Sequence, residues 1–301
     1  MDKLKQMQAF VSAVELGSLA RAAQAVGVSP AMLGRRVDAL ERRLGVRLLH
    51  RSTRHLTLTE EGQLFLDRCR RVFAELESAE ELLSGSRESA VGHLRVTAPA
   101  GFGRRHVAVH AASFLAANPR VQLSFDLTDQ VVDVARQGYD LGIRIGAVAD
   151  ADLVAIRLAA NRRAVCAAPA YLERHGTPRQ LADLQQHNCL VFTPQGGQAG
   201  GWSFQKEGKP VTIRVRGNPD CNDGEMLHRW ARGGVGLAWR STWEIQRELS
   251  RGELVTVLDE FAIPDYDVRA VYPQQRHIPA KVRFFVEHLR RIYAQPGYWD
   301  G

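Results

Sequence analysis

Apolar residues recur every three or four positions along SPAMLGRRVDALERRLG, Ser29 to Gly45. The recurring apolar positions are Leu33, Val37, Leu40 and Leu44. Four basic residues fall between them: Arg35, Arg36, Arg42 and Arg43. This spacing predicts an amphipathic helix whose apolar stripe is buried and whose basic side faces solvent or an anionic partner.

Two further helical patterns precede this basic helix. Residues 3–15 predict a first helix, and Ser18 can cap a second helix that ends at Gly27. Ser29 can cap the third, with Pro30 at the first helical position, where its missing N–H costs nothing. A short helix, a tight turn and a basic second helix form a helix-turn-helix, whose second helix enters the DNA major groove.

The segment after Gly45 has the alternation of a strand and a basic tip. Residues 56–59 alternate in polarity, and HRSTRH precedes them. We interpret this as a β-wing in which Arg51 and Arg54 reach phosphate or the minor groove. The alternative is a three-helix bundle with solvated arginines, but the order of cap, turn, second helix and basic wing favours DNA binding.

Charge distribution supports this interpretation. The chain of 301 residues carries a formal net charge of +7. Residues 1–58 hold ten Lys or Arg against four acidic residues, whereas residues 59–90 hold four Arg against eight. A compact basic region of this kind is typical of nucleic-acid binding. The cysteines have no close pair in the sequence, and no apolar run resembles a signal peptide or a membrane-spanning helix. We therefore expect a soluble, cytoplasmic protein.

The acidic stretch that follows predicts a long helix from an N-cap at Thr59 to about Leu83. Its apolar positions alternate in steps of four and three: Phe65, Cys69, Val72, Leu76, Ala79 and Leu83. A seam of nearly three heptads favours dimerisation over simple packing on the same chain. The composition of SGSRESAVG, residues 84–92, predicts a hinge.

From His93 onward, strand and helix patterns alternate, which predicts a largely parallel α/β arrangement. The predicted strands are 93–98, 121–127, 140–146, 153–158, 163–167, 189–192, 211–215, 235–239 and 266–272. The predicted helices are 104–119, 130–137, 178–185, 222–231 and 279–293.

The N-terminal motifs FVSAVELGSLARAA and LERRLGVRLLHRSTRHLTLTEEG resemble the winged helix-turn-helix of LysR-type transcriptional regulators over about the first 62 residues. Together with the two caps, the resemblance gives a candidate DNA-binding set: Ser18, Ser29, Pro30, Ala31, Met32, Gly34, Arg35, Arg36, Arg51, Thr53 and Arg54. This chain has Pro30 where the family usually has Gln, and Gly34 where it often has Ser. Gly34 either lets the helix approach DNA closely, which we favour, or costs about 1 kcal/mol of helix propensity.

The remainder is similar, more loosely, to the family's effector domain, a two-lobed α/β fold like that of periplasmic binding proteins. The motifs TAPAGFGRRH, YDLGIRIG and NDGEMLHRWARGGVGLA carry this similarity. The predicted domains are 1–58 for DNA binding, 59–88 for the linker helix and 93–301 for effector binding. Lobe 1 is predicted at about 93–161 and 267–292, and lobe 2 at about 162–266, with crossings near 161–168 and 265–268.

Ligands in such folds bind at the carboxyl ends of strands, between the lobes. The strand end TAPAGFG feeds a helix N-terminus, which favours an anion. The candidate effector-binding residues are Thr97, Pro99, Gly101, Phe102, Thr128, Arg144, Phe192 and Trp239. Arg144 can instead pair with Asp126 or Asp140, and the aromatic residues can be plain core. We expect a small carboxylate effector, for which an aromatic acid is one candidate.

Motifs for catalysis are missing from the sequence. GGQAGG lacks the Lys of a phosphate loop, GFGRR lacks a third dinucleotide-binding glycine, and neither G-x-S-x-G nor H-E-x-x-H occurs. We therefore expect no catalytic residue, cofactor or metal. The predicted partners are promoter DNA, a second copy or a tetramer of the chain, the effector, and RNA polymerase if the protein is an activator, with no membrane. The alternative is a ligand-binding or catalytic α/β protein whose N-terminal domain does not act on DNA, and a further option is redox sensing through Cys166 and Cys189.

Overall fold

The first six elements of the chain form a small helical unit with a two-stranded wing. The computed structural model describes residues 2–51, 56–83, 90–130, 132–148, 150–193, 201–274 and 278–299. The N-terminal unit contains α1 (Lys3–Glu15), α2 (Leu19–Ala25), α3 (Pro30–Leu44), β1 (Leu49–Arg51), β2 (Leu56–Leu58) and α4 (Glu60–Leu83). Phe10, Leu33 and Leu40 are fully buried in one apolar core. The apolar stripe of α3 therefore holds this helix against α1 and α2.

Local capping chemistry sets the helix ends in this unit. The Ser18 hydroxyl accepts a hydrogen bond from the backbone N–H of Arg21 at 3.5 Å, and the Ser29 hydroxyl accepts one from that of Met32 at 3.2 Å. At the far end of α3, Gly45 has a φ of 72°, a left-handed conformation that costs glycine little. The two serines and the glycine thus fix where α2 and α3 begin and where α3 stops.

The second unit holds two five-stranded sheets and a separate hairpin. Its strands are β3 (Gly92–Ala98), β4 (Val121–Leu127), β5 (Leu141–Ile145), β6 (Leu153–Ala159), β7 (Arg163–Ala167), β8 (Cys189–Phe192), β9 (Trp202–Lys206), β10 (Lys209–Ile213), β11 (Asp220–Cys221), β12 (Leu237–Ser241), β13 (Val255–Val257) and β14 (Val268–Pro273). Its α-helices are α5 (Ala100–Phe102), α6 (Ala111–Ala117), α7 (Pro169–His175), α8 (Gly224–Arg232), α9 (Thr242–Ser250) and α10 (Ala280–Tyr293). The sheet orders are β4-β3-β5-β14-β6 in lobe 1 and β11-β8-β12-β7-β13 in lobe 2.

Both sheets are mixed. In each sheet four of the five strands run in one direction, which agrees with the expectation of a largely parallel arrangement, and one strand opposes them: β14 lies antiparallel to β5 and β6, and β7 lies antiparallel to β12 and β13. Both exceptions are the strands that the chain enters after crossing from the other lobe. Such a strand is not part of a local strand–helix–strand unit, so that unit does not impose its direction.

The two crossings lie side by side and are joined by one buried residue. Asn161 follows β6, and its amide donates to the carbonyl of Tyr266 at 2.9 Å, on the return crossing before β14. Close by, Arg157 donates to the Asp267 carboxylate at 2.5 Å. Polar contacts therefore hold the two crossing segments together.

Two predicted helices take another form. The segment 104–119 is a π-helical turn (Gly103–Val107), a 3₁₀ turn (Ala108–His110) and then α6. Gly103 begins this irregularity where a Cβ would lie 2.4 Å from a methyl group of Leu127, so the chain packs too closely there for a larger residue. The predicted helix 130–137 is a turn in the described residues 132–138, closed by a hydrogen bond from Tyr139 N to the Val134 carbonyl at 3.0 Å.

The remaining differences concern short elements. The predicted helix 178–185 is a 3₁₀ helix, Leu181–Gln186, and the predicted strand 211–215 is β10, which ends at Ile213. The sequence pattern missed α7, β9, α9 and β13, because elements this short hold only one or two periods of a pattern. None of the helices in the described parts of the chain is long and apolar enough to cross a membrane.

Candidate functional site

The basic side of α3 is open to solvent. Pro30, Ala31, Met32 and Arg35 are exposed, and Arg36 is partly exposed and donates to the Met32 sulfur at 3.7 Å. Nothing lies within 4 Å of the place where a Cβ on Gly34 would stand, so this face presents a shallow, uncovered strip. A helix with buried apolar residues behind and uncovered basic residues in front can enter a groove without rearranging its core.

Only part of the predicted wing can be placed. Strands β1 and β2 pair antiparallel from Leu49 with Leu58 to Arg51 with Leu56. The predicted contact residues Thr53 and Arg54 lie outside the described residues, as does the side chain of Arg51. The hairpin nevertheless joins α3 to α4 directly, so its tip follows the recognition helix in the chain.

The apolar seam of α4 is buried near the start of the helix and partly exposed further along it. Cys69 is fully buried in the core of its own N-terminal unit. Further on, Val72 is 45% exposed and Leu76 is 40% exposed. The described part of the chain therefore covers these apolar side chains only partly, which leaves the middle of α4 available for another surface.

A cavity of about 400 Å³ lies between the two lobes of the second unit. Its walls come from strand ends and helix starts of both sheets, as expected for a ligand site in an open α/β fold. The volume falls in the range of small-molecule sites, roughly 300–1,000 Å³. It is therefore large enough for a metabolite and too small for a macromolecule.

Seven of the eight candidate effector-binding residues line this cavity: Pro99, Gly101, Phe102, Thr128, Arg144, Phe192 and Trp239. Thr97 does not. It is fully buried in β3, and its hydroxyl has no hydrogen-bond partner among the described residues. The strand register explains this position, because Thr97 lies opposite Gly142 inside the sheet, one residue before β3 ends.

Three carboxylates in the cavity wall already have partners. Asp129 accepts from the backbone N–H of Ala100 at 2.8 Å. Glu244 accepts two hydrogen bonds from Arg240, at 2.7 and 2.9 Å. The third, Glu225 of lobe 2, pairs with Arg105 of lobe 1. Glu244 and Glu225 therefore have cationic partners, whereas Asp129 is held by a backbone N–H. The Glu225–Arg105 pair also connects the two lobes beside the cavity.

Two arginines in the same wall form no ion pair with a described residue, although the Glu244 and Asp129 carboxylates favour the charged form of one of them, Arg163. Arg144, on β5, donates to the carbonyl oxygens of Ile143 and Val132 at 3.0 and 2.9 Å. Arg163 begins β7 and packs its guanidinium over the ring of Trp239, 4.4 Å from the ring centroid, while its Nε has no described hydrogen-bond partner. Burial lowers the pKa of both guanidinium groups, which shows how costly their charges are here.

Sequence reasoning missed Arg163 because nothing local distinguishes it from the neighbouring Arg162. Arg162 is 47% exposed and pairs with Asp259 at 3.3 Å, as a surface arginine does. The one sequence feature that could have identified Arg163 is its position as the first residue of an apolar strand. The alternative for Arg144, pairing with Asp126 or Asp140, is wrong: Asp126 accepts from Tyr139 and Asp140 pairs with Lys281.

One set of side chains has the composition of a metal site. Ligand atoms of Glu225, His228 and Glu244 lie within 4.8 Å of one another. Both carboxylates are already held by arginines, so a cation would have to open two ion pairs and leave the largely buried Arg240 guanidinium unpaired. This donor set therefore fits the ion pairs better than it fits a metal.

The two cysteines considered as redox sensors are buried. Burial raises the pKa of the Cys166 thiol and that of the Cys189 thiol to about 12. The Cys189 sulfur donates to the carbonyl of Leu184 at 3.5 Å. Thiols with so little thiolate react slowly, so both side chains have the environment of structural cysteines.

Comparison with known proteins identifies both units. Residues 4–63 match the family described as "Bacterial regulatory helix-turn-helix protein, lysR family", and residues 87–294 match "LysR substrate binding domain". The HTH-type transcriptional regulator DmlR of Escherichia coli is 37% identical over 292 residues, covering 97% of this chain and 95% of that protein.

Solved structures agree with this assignment. CrgA of Neisseria meningitidis, a LysR-type transcriptional regulator, is 30% identical with a TM-score of 0.58, covering 96% of this chain and 98% of that one. The full-length Vibrio cholerae virulence activator AphB is 27% identical with a TM-score of 0.57, with the same coverage. The chain belongs to the LysR-type transcriptional regulator family. It is a DNA-binding regulator with an effector-binding domain, and its relatives are regulators and not enzymes.

Proposed function

We propose that this regulator binds pseudo-palindromic promoter DNA as a dimer or tetramer and is switched by a small carboxylate effector in the interlobe cavity. Residues 1–58 bind DNA, residues 59–88 join two copies, and residues 93–301 hold the effector. One observation supports the effector's chemistry: the cavity wall contains two arginines, Arg144 and Arg163, that form no ion pair with a described residue. The carboxylate of a ligand can accept charge-assisted hydrogen bonds from such groups.

The DNA-reading part rests on the exposed side of α3. Pro30, Ala31 and Met32 stand at its N-terminal end, and Arg35 follows one turn later. The N-terminal residues of a recognition helix contact base edges, and a wing with basic residues contacts the backbone. We assign base contact to Arg35 and Met32, and backbone contact to the wing residues Arg51, Thr53 and Arg54.

Self-association rests on the exposed middle of α4. Val72 and Leu76 lie four residues apart on one side of this helix. Pairing two such helices buries apolar surface that a lone chain leaves in water, and it presents two recognition helices to two half-sites. A two-fold dimer therefore explains both the exposed apolar residues and a palindromic target.

A binding experiment with the full chain tests the regulator proposal. A labelled duplex selected from a random pool is titrated by fluorescence anisotropy at several salt concentrations. Because each neutralised phosphate releases counterions, we expect affinity to fall steeply and linearly on a double-logarithmic plot. Weak binding that does not change with salt would contradict DNA binding by this basic domain.

A further inference from the structure

The base of the wing, residues 47–49, is held by a side chain of the recognition helix. The Glu41 carboxylate, on α3, accepts hydrogen bonds from the backbone N–H groups of Leu48 and Leu49 at 2.8 and 3.1 Å. The backbone carbonyl of Glu41 also accepts from the N–H of Gly45 at 2.9 Å, where α3 ends. One residue therefore closes the recognition helix and holds the start of β1.

Packing alone does not fix the direction in which the wing leaves α3. Val46 is 41% exposed, Arg47 is exposed, and both lie between the end of α3 and the start of β1. The side chains of Leu48 and Leu49 are buried in the core of the N-terminal unit. Burial of apolar surface holds them there but has no directional preference, whereas hydrogen bonds do. The two bonds to Glu41 therefore orient the wing base relative to α3.

The linker helix holds the same point of the chain from the other end of the hairpin. The N–H of Thr59 donates to the Leu48 carbonyl at 3.0 Å, and the Thr59 hydroxyl donates to the Arg47 carbonyl at 2.7 Å. A Cβ on Gly62 would lie 2.0 Å from the Leu48 oxygen, so α4 packs directly on this carbonyl. The two backbone polar groups of Leu48 are thus bound from α3 through Glu41 and from the start of α4 through Thr59.

We propose that Glu41 is a positioning residue for DNA binding, which sets the direction of the wing so that the wing and α3 contact the same duplex together. The inference rests on the proposed function, in which α3 contacts bases and Arg51 of the wing contacts the backbone. Glu41 acts through the wing, since phosphates repel its carboxylate. Without its two hydrogen bonds the wing base stays in the core but loses its fixed direction, and the phosphate contact of Arg51 is lost.

A purely structural role for Glu41 makes a different prediction. If the carboxylate only satisfies two buried N–H groups, its loss lowers the melting temperature, and the molecules that remain folded bind DNA with all their contacts. The slope of log affinity against log salt concentration separates the two roles. This slope depends on how many phosphates the protein contacts, and a smaller folded fraction does not change it.

The test measures this slope for the full-length protein on the selected duplex by fluorescence anisotropy, at a temperature below the melting transition of every variant. Glu41→Ala should reduce the slope by about one for each wing that loses its phosphate contact. Glu41→Gln should keep the wild-type slope, because its amide oxygen can accept the same two hydrogen bonds. Asp38→Ala is the matched charge control, since it removes one negative charge from the same helix three residues earlier, and it should also keep the slope.

A double-mutant cycle with Arg51 shows whether Glu41 acts through the wing. Arg51 is the last residue of β1, opposite Leu56. Arg51→Ala should reduce the slope by about one per wing in the wild-type protein and leave it almost unchanged in Glu41→Ala. If Glu41→Ala unfolds below the assay temperature, Glu41→Asp replaces it, because it keeps the charge and withdraws the acceptor by one methylene group. The same loss of slope is expected.

The outcomes separate this inference from the regulator proposal. A steep wild-type slope that Glu41→Ala or Glu41→Asp leaves unchanged would overturn the inference alone, and so would a full further loss when Arg51→Ala is added. Wild-type binding that does not change with salt would remove the regulator proposal and the inference together.

Discussion

Replacing Arg35 with Ala should separate base reading from simple charge attraction. Arg35 is exposed, it lies between the buried Leu33 and Val37 in sequence, and it has no ion pair with a described residue. Ala also has a slightly better helix propensity than Arg, so the free energy of unfolding should change by no more than about 0.5 kcal/mol. The substitution should therefore weaken DNA binding while leaving the free energy of unfolding almost unchanged.

The expected magnitude follows from the contact that an arginine makes in the major groove. A bidentate pair with the O6 and N7 atoms of guanine contributes about 1–3 kcal/mol of discrimination, which is roughly a five- to 150-fold change in affinity. We expect Arg35→Ala to lose this factor on the selected duplex and much less on a scrambled duplex of equal composition. The ratio of the two dissociation constants is the quantity to measure.

Arg42 provides a matched control on the same helix. It is also exposed, but it lies near the C-terminal end of α3, where its Nε donates to the carbonyl of Asp38 at 3.3 Å. Arg42→Ala should weaken binding to both duplexes about equally, since it removes charge without a base contact. Equal losses for Arg35→Ala on both duplexes would refute base reading by Arg35 and reduce its role to phosphate contact.

Further predictions concern self-association through α4, a buried side chain of β3 and the stability of the protein at low pH. Leu76→Asp places a charge on the exposed side of α4 and should convert the dimer to a monomer in sedimentation velocity, whereas Glu75→Gln should not; an unchanged dimer would place the interface elsewhere. Thr97→Val removes a buried hydroxyl without a described partner, so the melting temperature should stay equal or rise and the affinity for a small carboxylate should stay the same. Weaker carboxylate binding would show that Thr97 contacts the ligand. Burial lowers the pKa of His106 from 6.5 to about 4. The unfolded chain therefore takes up a proton before the folded protein does, so the melting temperature should be lower at about pH 5 than at about pH 7.5. The drop should be smaller in His106→Gln, and an equal drop in both proteins would assign it to other groups.

The N-terminal unit could be predicted from sequence because its signals are local. Ser18, Ser29 and Gly45 act on the backbone within a few residues, and the stripe of α3 repeats often enough to define its buried side. The same holds for the strand ends that supply Pro99 and Thr128 to the cavity. Local chemistry of this kind can be recognised before any tertiary contact is known.

The remaining features depend on contacts that are distant in the chain. Arg163 lies in the cavity wall because β7 begins beside Trp239, and no local pattern distinguishes it from Arg162. The direction of β14 follows from the return crossing, and the irregular start of the segment at Gly103 follows from the approach of Leu127. Each of these depends on packing between segments, which a period of two or 3.6 residues does not encode.

A ligand in the interlobe cavity and DNA on α3 should influence each other's binding. The most direct test is the affinity of the full-length protein for its selected duplex, with and without a saturating concentration of the small carboxylate that binds most tightly. Coupling free energies of regulators correspond to about a five- to 150-fold change, and the duplex must change the affinity for the carboxylate by the same factor. We predict a change of this size in the affinity for DNA when the ligand is bound. The affinity for the ligand should change by the same factor when DNA is bound. Identical DNA affinity with the cavity filled and empty would contradict the account.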